Sequence, residues 1–157
     1  MMGLPSNADG ARATARANHL PPLGEESSLT PETLDDLAMV RVKRTNLLVV
    51  GDRAATDVVL EELRLSGRES IVSWRPGQPL DLPPPGRTTT LLLHDVDQLT
   101  VAAQAAVLRW LDQSAGRIWV VSTTIEPLWP QVETGVFSDV LYYRLNIVCV
   151  RVPSDES

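Results

Sequence analysis

Asn46-Leu47-Leu48-Val49-Val50-Gly51 is a continuous apolar run closed by a glycine. A run with no polar alternation predicts a strand buried on both faces. The same pattern predicts strands over 88–94, 117–123 and 147–152, and a shorter one over Ser70-Ile71-Val72-Ser73-Trp74. Helical spacing fills the gaps between them. Thr30-Pro31-Glu32 combines an N-cap residue, a proline at the first helical position and an acid. It predicts a helix to about Lys43, carrying Leu34, Leu37, Ala38 and Val40. A second helix is predicted over 56–65, with Val58, Val59, Leu60 and Leu63 inward and Gly67 as its stop. A third runs from a Thr100 cap through Ser114, with Val101, Ala105, Leu108 and Leu111 on its inner face, and ends at Gly116. Short helices are predicted over 127–133 and 138–144. Strands and helices that alternate in this way predict an α/β fold, a parallel sheet of about five strands with helices on both faces.

The remaining segments read differently. Residues 75–87 hold Pro76, Pro79, Pro83, Pro84 and Pro85, which deny helix and central strand alike and predict a stiff connector. Residues 1–27 are rich in Ala, Asn, Ser, Gly and Pro and lack aromatics, so they predict a disordered tail. The expected organisation is that tail, one α/β unit over 28–153, and a short end at 154–157.

Composition narrows the function classes. The 157 residues are 43% hydrophobic and 22% charged, ordinary for a globular domain. A net charge of −6 argues against a broad nucleic-acid footprint, so no direct DNA contact is expected. The short basic run Arg41-Val42-Lys43-Arg44 fits a helix C-terminus, which favours cations. The single cysteine, Cys149, lies in an apolar run and is expected to be a small buried strand residue. One Cys with the distant His19 and His94 makes no zinc set, and no metal is expected. No run reaches membrane-span length and no signal peptide opens the chain, so a cytoplasmic protein is expected.

Candidate chemistry sits at two strand ends. The first strand leads into Gly51-Asp52-Arg53-Ala54-Ala55-Thr56-Asp57, and the third into His94-Asp95. A glycine that opens a helix and an acidic strand end have the layout of a P-loop ATPase. The second half is more specific. Leu91–Leu99, Gln104–Leu111, Arg117–Thr124 and Gly135-Val136-Phe137-Ser138-Asp139-Val140-Leu141-Tyr142-Tyr143-Arg144-Leu145-Asn146 follow in order. Together they resemble the AAA+ domain of the ATP-driven activators of sigma-54 RNA polymerase. The last segment is the most diagnostic, against a family pattern close to G-x-F-R-x-D-L-Y-Y-R-L-N. The resemblance covers about 28–153 and is strongest after residue 88. It implies the AAA+ strand order 5-1-4-3-2.

The departures from that family bear on function. The family phosphate loop is G-E-x-G-T-G-K-E; here only Gly51 stands in place among its glycines, and Asp57 replaces the lysine. The acidic pair D-E is His94-Asp95, and His is a poor ligand for Mg²⁺. The polar sensor after the fourth strand falls at Thr124. The family uses two arginines on a neighbouring subunit's nucleotide; Ser138 stands at the first and Arg144 keeps the second. The resemblance thus marks Gly51, Thr56, Asp57, His94, Asp95 and Thr124 as a degenerate nucleotide site, and Arg144 as a candidate trans-acting arginine. No catalytic residue and no cofactor are expected. Neither the GAFTGA loop that grips sigma-54 nor the helical lid and helix-turn-helix falls within these residues, so direct sigma-54 contact is not expected. The implied function is an inactive sigma-54-activator-like domain that works by protein contact in transcription regulation, with a full-length AAA+ activator as a candidate partner. Two alternatives remain: a residual ATP-binding sigma-54 interaction domain (with ATP and Mg²⁺ as cofactors), and a stand-alone interaction module on an AAA+-derived scaffold.

Overall fold

A computed structural model describes residues 29–153 apart from 64, 66–69, 85–86 and 115–116. The expected tail 1–27, the end 154–157 and the helix stops Gly67 and Gly116 lie outside the described residues. The elements in order are α1 (Pro31–Lys43), β1 (Leu47–Val50), α2 (Arg53–Leu63), β2 (Ile71–Trp74), β3 (Thr89–Leu93), a 3-10 turn (Val96–Gln98), α3 (Val101–Ser114), β4 (Ile118–Thr124), α4 (Trp129–Glu133), α5 (Asp139–Leu145) and β5 (Val148–Arg151). The five strands form one sheet in the order β2-β3-β4-β1-β5. Every pairing is parallel. This is the three-layer AAA+ arrangement, and all strand C-termini open on one edge.

Alternation along the strands fills two cores. Leu48, Val50, Leu91, Leu93 and Val120 face α3, α4 and α5, with Val107, Leu111, Phe137, Leu141 and Leu145 packed on them. Leu47, Val49, Trp119, Val121 and Val150 face α1 and α2, with Leu37, Val40, Val59 and Leu63. Leu47, Val49, Leu91, Leu93 and Val120 have no exposed area. Burial on both faces explains why the central strands β1, β3 and β4 read as near-continuous apolar runs.

The ends of α1 match the sequence. Thr30 accepts the N–H of Thr33 at 3.1 Å. Arg41 and Lys43 occupy the last turn, where cations oppose the helix dipole. The proline-rich connector has no helix or strand over residues 75–84. It begins as a tight turn, with Gln78 N–H donating to Arg75 O at 3.1 Å and Gly77 at φ 92°. Glycine at the third position of such a turn is what a type II geometry requires. The connector is then pinned over α3 by Trp110, whose indole N–H donates to Pro83 O at 2.7 Å.

Three expectations are corrected. The helix after β1 starts at Arg53, not at Thr56, because Asp52 caps it: Ala55 N–H donates to its Oδ1 at 2.8 Å. The inner face of α3 is Gln104, Val107, Trp110, Leu111 and Ser114, while Val101 is 74% exposed and Ala105 is exposed. Its polar members are buried because they find partners. Gln104 donates to the carbonyls of Leu99 and Val136 and accepts Ser138 N–H at 2.8 Å. Ser114 donates to Trp110 O. Third, Cys149 is exposed. It lies on edge strand β5, where Val150 is covered by the second core but Cys149 and Arg151 point to an uncovered face.

Candidate functional site

The strand-end motifs converge at the carboxyl edge of the sheet, where ligands bind in open α/β folds. β1 delivers Gly51, β3 delivers His94 and Asp95, and β4 ends at Thr123 and Thr124. The first turn of α2 adds Arg53, Thr56 and Asp57. Gly51, Thr56, Asp57, His94 and Asp95 line one crevice together with Arg53, Arg75 and Thr123.

Several of these groups are already committed to the fold. A Cβ on Gly51 would lie 2.9 Å from Val152 O, so glycine is needed for the approach of the chain leaving β5. Thr56 is buried, and its hydroxyl donates to Arg53 O at 3.1 Å. Asp57 is exposed at the crevice mouth. Asp95 holds a left-handed backbone, φ 53°. That costs a non-glycine residue about 1 kcal/mol. The strain is supported by Asp95 N–H donating to Thr123 Oγ1 at 3.1 Å and by Gln98 N–H donating to Asp95 O at 2.9 Å.

His94 is the most perturbed group. Its backbone N–H donates to Trp74 O, and only 9% of the residue is exposed. Burial lowers its pKa from the ordinary 6.5, and Arg75 lowers it further. Asp95 and Asp57 oppose this, and Arg53 adds a smaller downward push. The imidazole is therefore neutral at pH 7.

Thr124 and Arg144 stand apart from the crevice. Thr124 is buried, and its hydroxyl donates to Glu126 O at 2.8 Å, while Thr123 takes the lining position. Arg144 Nη1 lies 2.7 Å from Asp112 Oδ1 on α3. The sequence reading missed Arg75. Parallel pairing of β2 with β3 sets Trp74 against Leu93, so the next residues, Arg75 and His94, meet at the crevice.

The fit to a Mg-nucleotide is poor. The crevice holds about 30 Å³, room for a water or two. The Asp52 carboxylate already accepts an amide at the start of α2, where a phosphate oxygen would be received. Asp57 puts negative charge beside it. Among the described residues no cluster of three His, Cys, Asp or Glu could hold a metal ion. A wider hollow of about 490 Å³ opens on the other side of Gly51, bounded by Asp52, Glu126, Pro127 and Arg151.

The profile of the family described as the sigma-54 interaction domain matches residues 25–154. The chain belongs to that family. Within this sigma-54 interaction domain, 75 residues are 31% identical to the Nif-specific regulatory protein of Azotobacter vinelandii. A stretch of the same length is 33% identical to the DNA-binding transcriptional regulator NtrC of Rhizobium meliloti (strain 1021). Each match covers 41% of this chain, but only 14% and 16% of those relatives. NtrX from Brucella abortus, solved in complex with ADP, superposes with a TM-score of 0.65 at 18% identity, over 92% of this chain and 40% of NtrX. RuvB from Thermotoga maritima gives a TM-score of 0.50 at 12% identity, over 78% of this chain and 43% of its own. At these identities the structural likeness shows the fold. Among the described residues no helix is long and apolar enough to cross a membrane.

Proposed function

We propose that this sigma-54 interaction domain is catalytically inactive and works by protein contact in transcription regulation, on a full-length AAA+ activator. One observation carries the reading: the turn that should cradle phosphate is helix from Arg53 onward, capped by the Asp52 carboxylate and bearing Asp57. A phosphate loop needs free amides and a lysine at that place. His94 supports the reading further, because a buried neutral imidazole neither holds Mg²⁺ nor replaces a strand-end carboxylate. The short connector over 75–87 has no counterpart of the sigma-54-gripping loop, which favours contact with an activator over contact with sigma-54. The net charge of −6 argues against direct DNA contact.

The alternative reading, weak ATP binding, draws on the retained layout of Gly51 and Asp95 and on the hollow beside Gly51. It needs α2 to unwind at Asp52 before any phosphate is held.

Arg144 joins the main reading only if it leaves Asp112. Both partners are well exposed, at 39% and 64%, and pairs of that kind contribute about 0–1 kcal/mol. A guanidinium so released could reach a partner's γ-phosphate. The test is titration of this protein into the ATPase assay of a full-length activator. A changed rate, lowered because this subunit adds no hydrolysis, is expected. Arg144→Ala should weaken the change while circular dichroism stays the same. No change in rate with either protein contradicts action on the activator.

A further inference from the structure

The hollow beside Gly51 spans three strand ends. The chain leaving β4 supplies Ile125, Glu126 and Pro127, β1 supplies Val50, and the end of β5 supplies Arg151 and Val152. Its walls are largely apolar, and Ile125 is 55% exposed there. Charge is divided across it. Strand register sets Val50 between Thr124 and Arg151. Glu126 therefore stands at the β4 end, just past Thr124, and Arg151 at the β5 end. Neighbouring strands lie about 4.8 Å apart, which puts those ends roughly 10 Å apart.

The described chain begins at the same edge of the sheet. α1 turns into β1 at the amino edge, where the Trp119 indole N–H donates to Thr45 O at 2.7 Å. The start of α1 therefore lies toward the carboxyl edge. Leu29 is 8% exposed there and shares the second core with Val150 and Val152. Upstream of Leu29 the sequence holds an apolar cluster, Leu20-Pro21-Pro22-Leu23. Six steps of chain lead from Leu23 to Leu29, a reach of up to about 20 Å. Consecutive prolines favour an extended helix rising about 3.1 Å per residue, so Leu20 to Leu23 would span roughly 9 Å. That equals the width of the hollow.

We propose that Leu20–Leu23 docks in the hollow of its own chain as an apolar strap laid across the ends of β5, β1 and β4. Charge order selects this occupant and its direction. Traced back from Leu29, the segment presents Glu26 and Glu25, then the apolar cluster, then Arg16. Traced from the β5 side, the hollow presents Arg151, then apolar walls, then Glu126. Acid meets base at both ends, and the opposite direction would set like charges together. A tethered segment acts at millimolar effective concentration, so a weak contact suffices. Stiff prolines also lose little freedom on docking. The strap goes beyond the inactive reading and does not rest on it. It occupies the room on which the weak ATP-binding alternative draws.

Nuclear magnetic resonance on the full chain tests the strap. A nitroxide is attached at Pro22→Cys, with the exposed native thiol removed by Cys149→Ser. The amides of Gly51, Ile125 and Val152 should broaden strongly, and those of Val42 and Thr45, at the amino edge, should stay sharp. Arg151→Glu should remove most of the broadening. Glu25→Arg and Glu26→Arg, added to that variant, should restore it, because the pairing is again between opposite charges. Mixing nitroxide-bearing protein with isotope-labelled protein that lacks the nitroxide should leave every amide sharp, since the contact lies within one chain. The dispersion of the amide spectrum shows that each variant is folded. Hollow amides that stay sharp in the labelled chain overturn the proposal, as does broadening indifferent to Arg151→Glu. Equal broadening in the mixture also overturns it and gives the hollow to a second copy. The ATPase titration that tests the inactive reading reports on a different contact, so the two fail separately.

Discussion

The phosphate-loop region and the α4–α5 region carry their family patterns in different ways. After β1, the residues that would serve a ligand serve the fold. Gly51 makes room for Val152, Asp52 caps α2, and the Thr56 hydroxyl bonds its own helix. Over 135–146 the pattern splits by direction. Phe137, Leu141 and Leu145 are the buried floor of a core, while Tyr143 and Arg144 face outward. The difference teaches that a motif read as functional can survive as packing. A substitution in either region should therefore be felt through its packing and not through its motif letter.

The largest expected effect follows from that contrast. Phe137→Ala removes an aromatic that is 1% exposed and should cost about 3–5 kcal/mol in urea unfolding. Asp57→Lys, which restores the family letter at an exposed helix position, should change stability by less than about 0.5 kcal/mol. Equal effects at the two sites would erase the distinction. Gly51→Ala comes next. The added Cβ meets a carbonyl at 2.9 Å, and overpacking of this kind costs about 1–3 kcal/mol. A neutral result would return Gly51 to a role in ligand binding. Asp52→Ala should then cost about 1 kcal/mol as a lost cap.

Much of the fold was legible in the sequence because the central strands β1, β3 and β4 are buried on both faces, which makes them read as near-continuous apolar runs. The inner face of α3 was not legible. Gln104 is buried there through hydrogen bonds to partners distant in sequence, and Ser114 by bonding the Trp110 carbonyl one turn back; apolar periodicity registers neither. Cys149 misled for the opposite reason: an apolar run does not say whether its strand is central or at an edge. The strand-end residues were legible as a set, since parallel strands deliver them to one edge. Their commitments were not, because caps and carbonyl contacts depend on backbone placement. Arg75 was hidden by the cross-strand register that sets it beside His94.

A smaller effect concerns pH. The folded pKa of His94 is depressed below 6.5. As pH falls through the ordinary value, the unfolded chain takes up a proton that the folded chain refuses. Stability contributed by the neutral imidazole is thus present above that range and lost below it. His94→Gln should remove this part of the acid-side slope in urea unfolding measured between neutral and mildly acidic pH. An unchanged slope would show that the crevice does not hold the imidazole neutral.

The central claim is that the phosphate seat is filled by the chain itself. Isothermal titration calorimetry of the full chain with Mg-ATP tests it most directly. The account predicts no saturable heat up to millimolar nucleotide. A dissociation constant in the low micromolar range, about −8 kcal/mol, would contradict it.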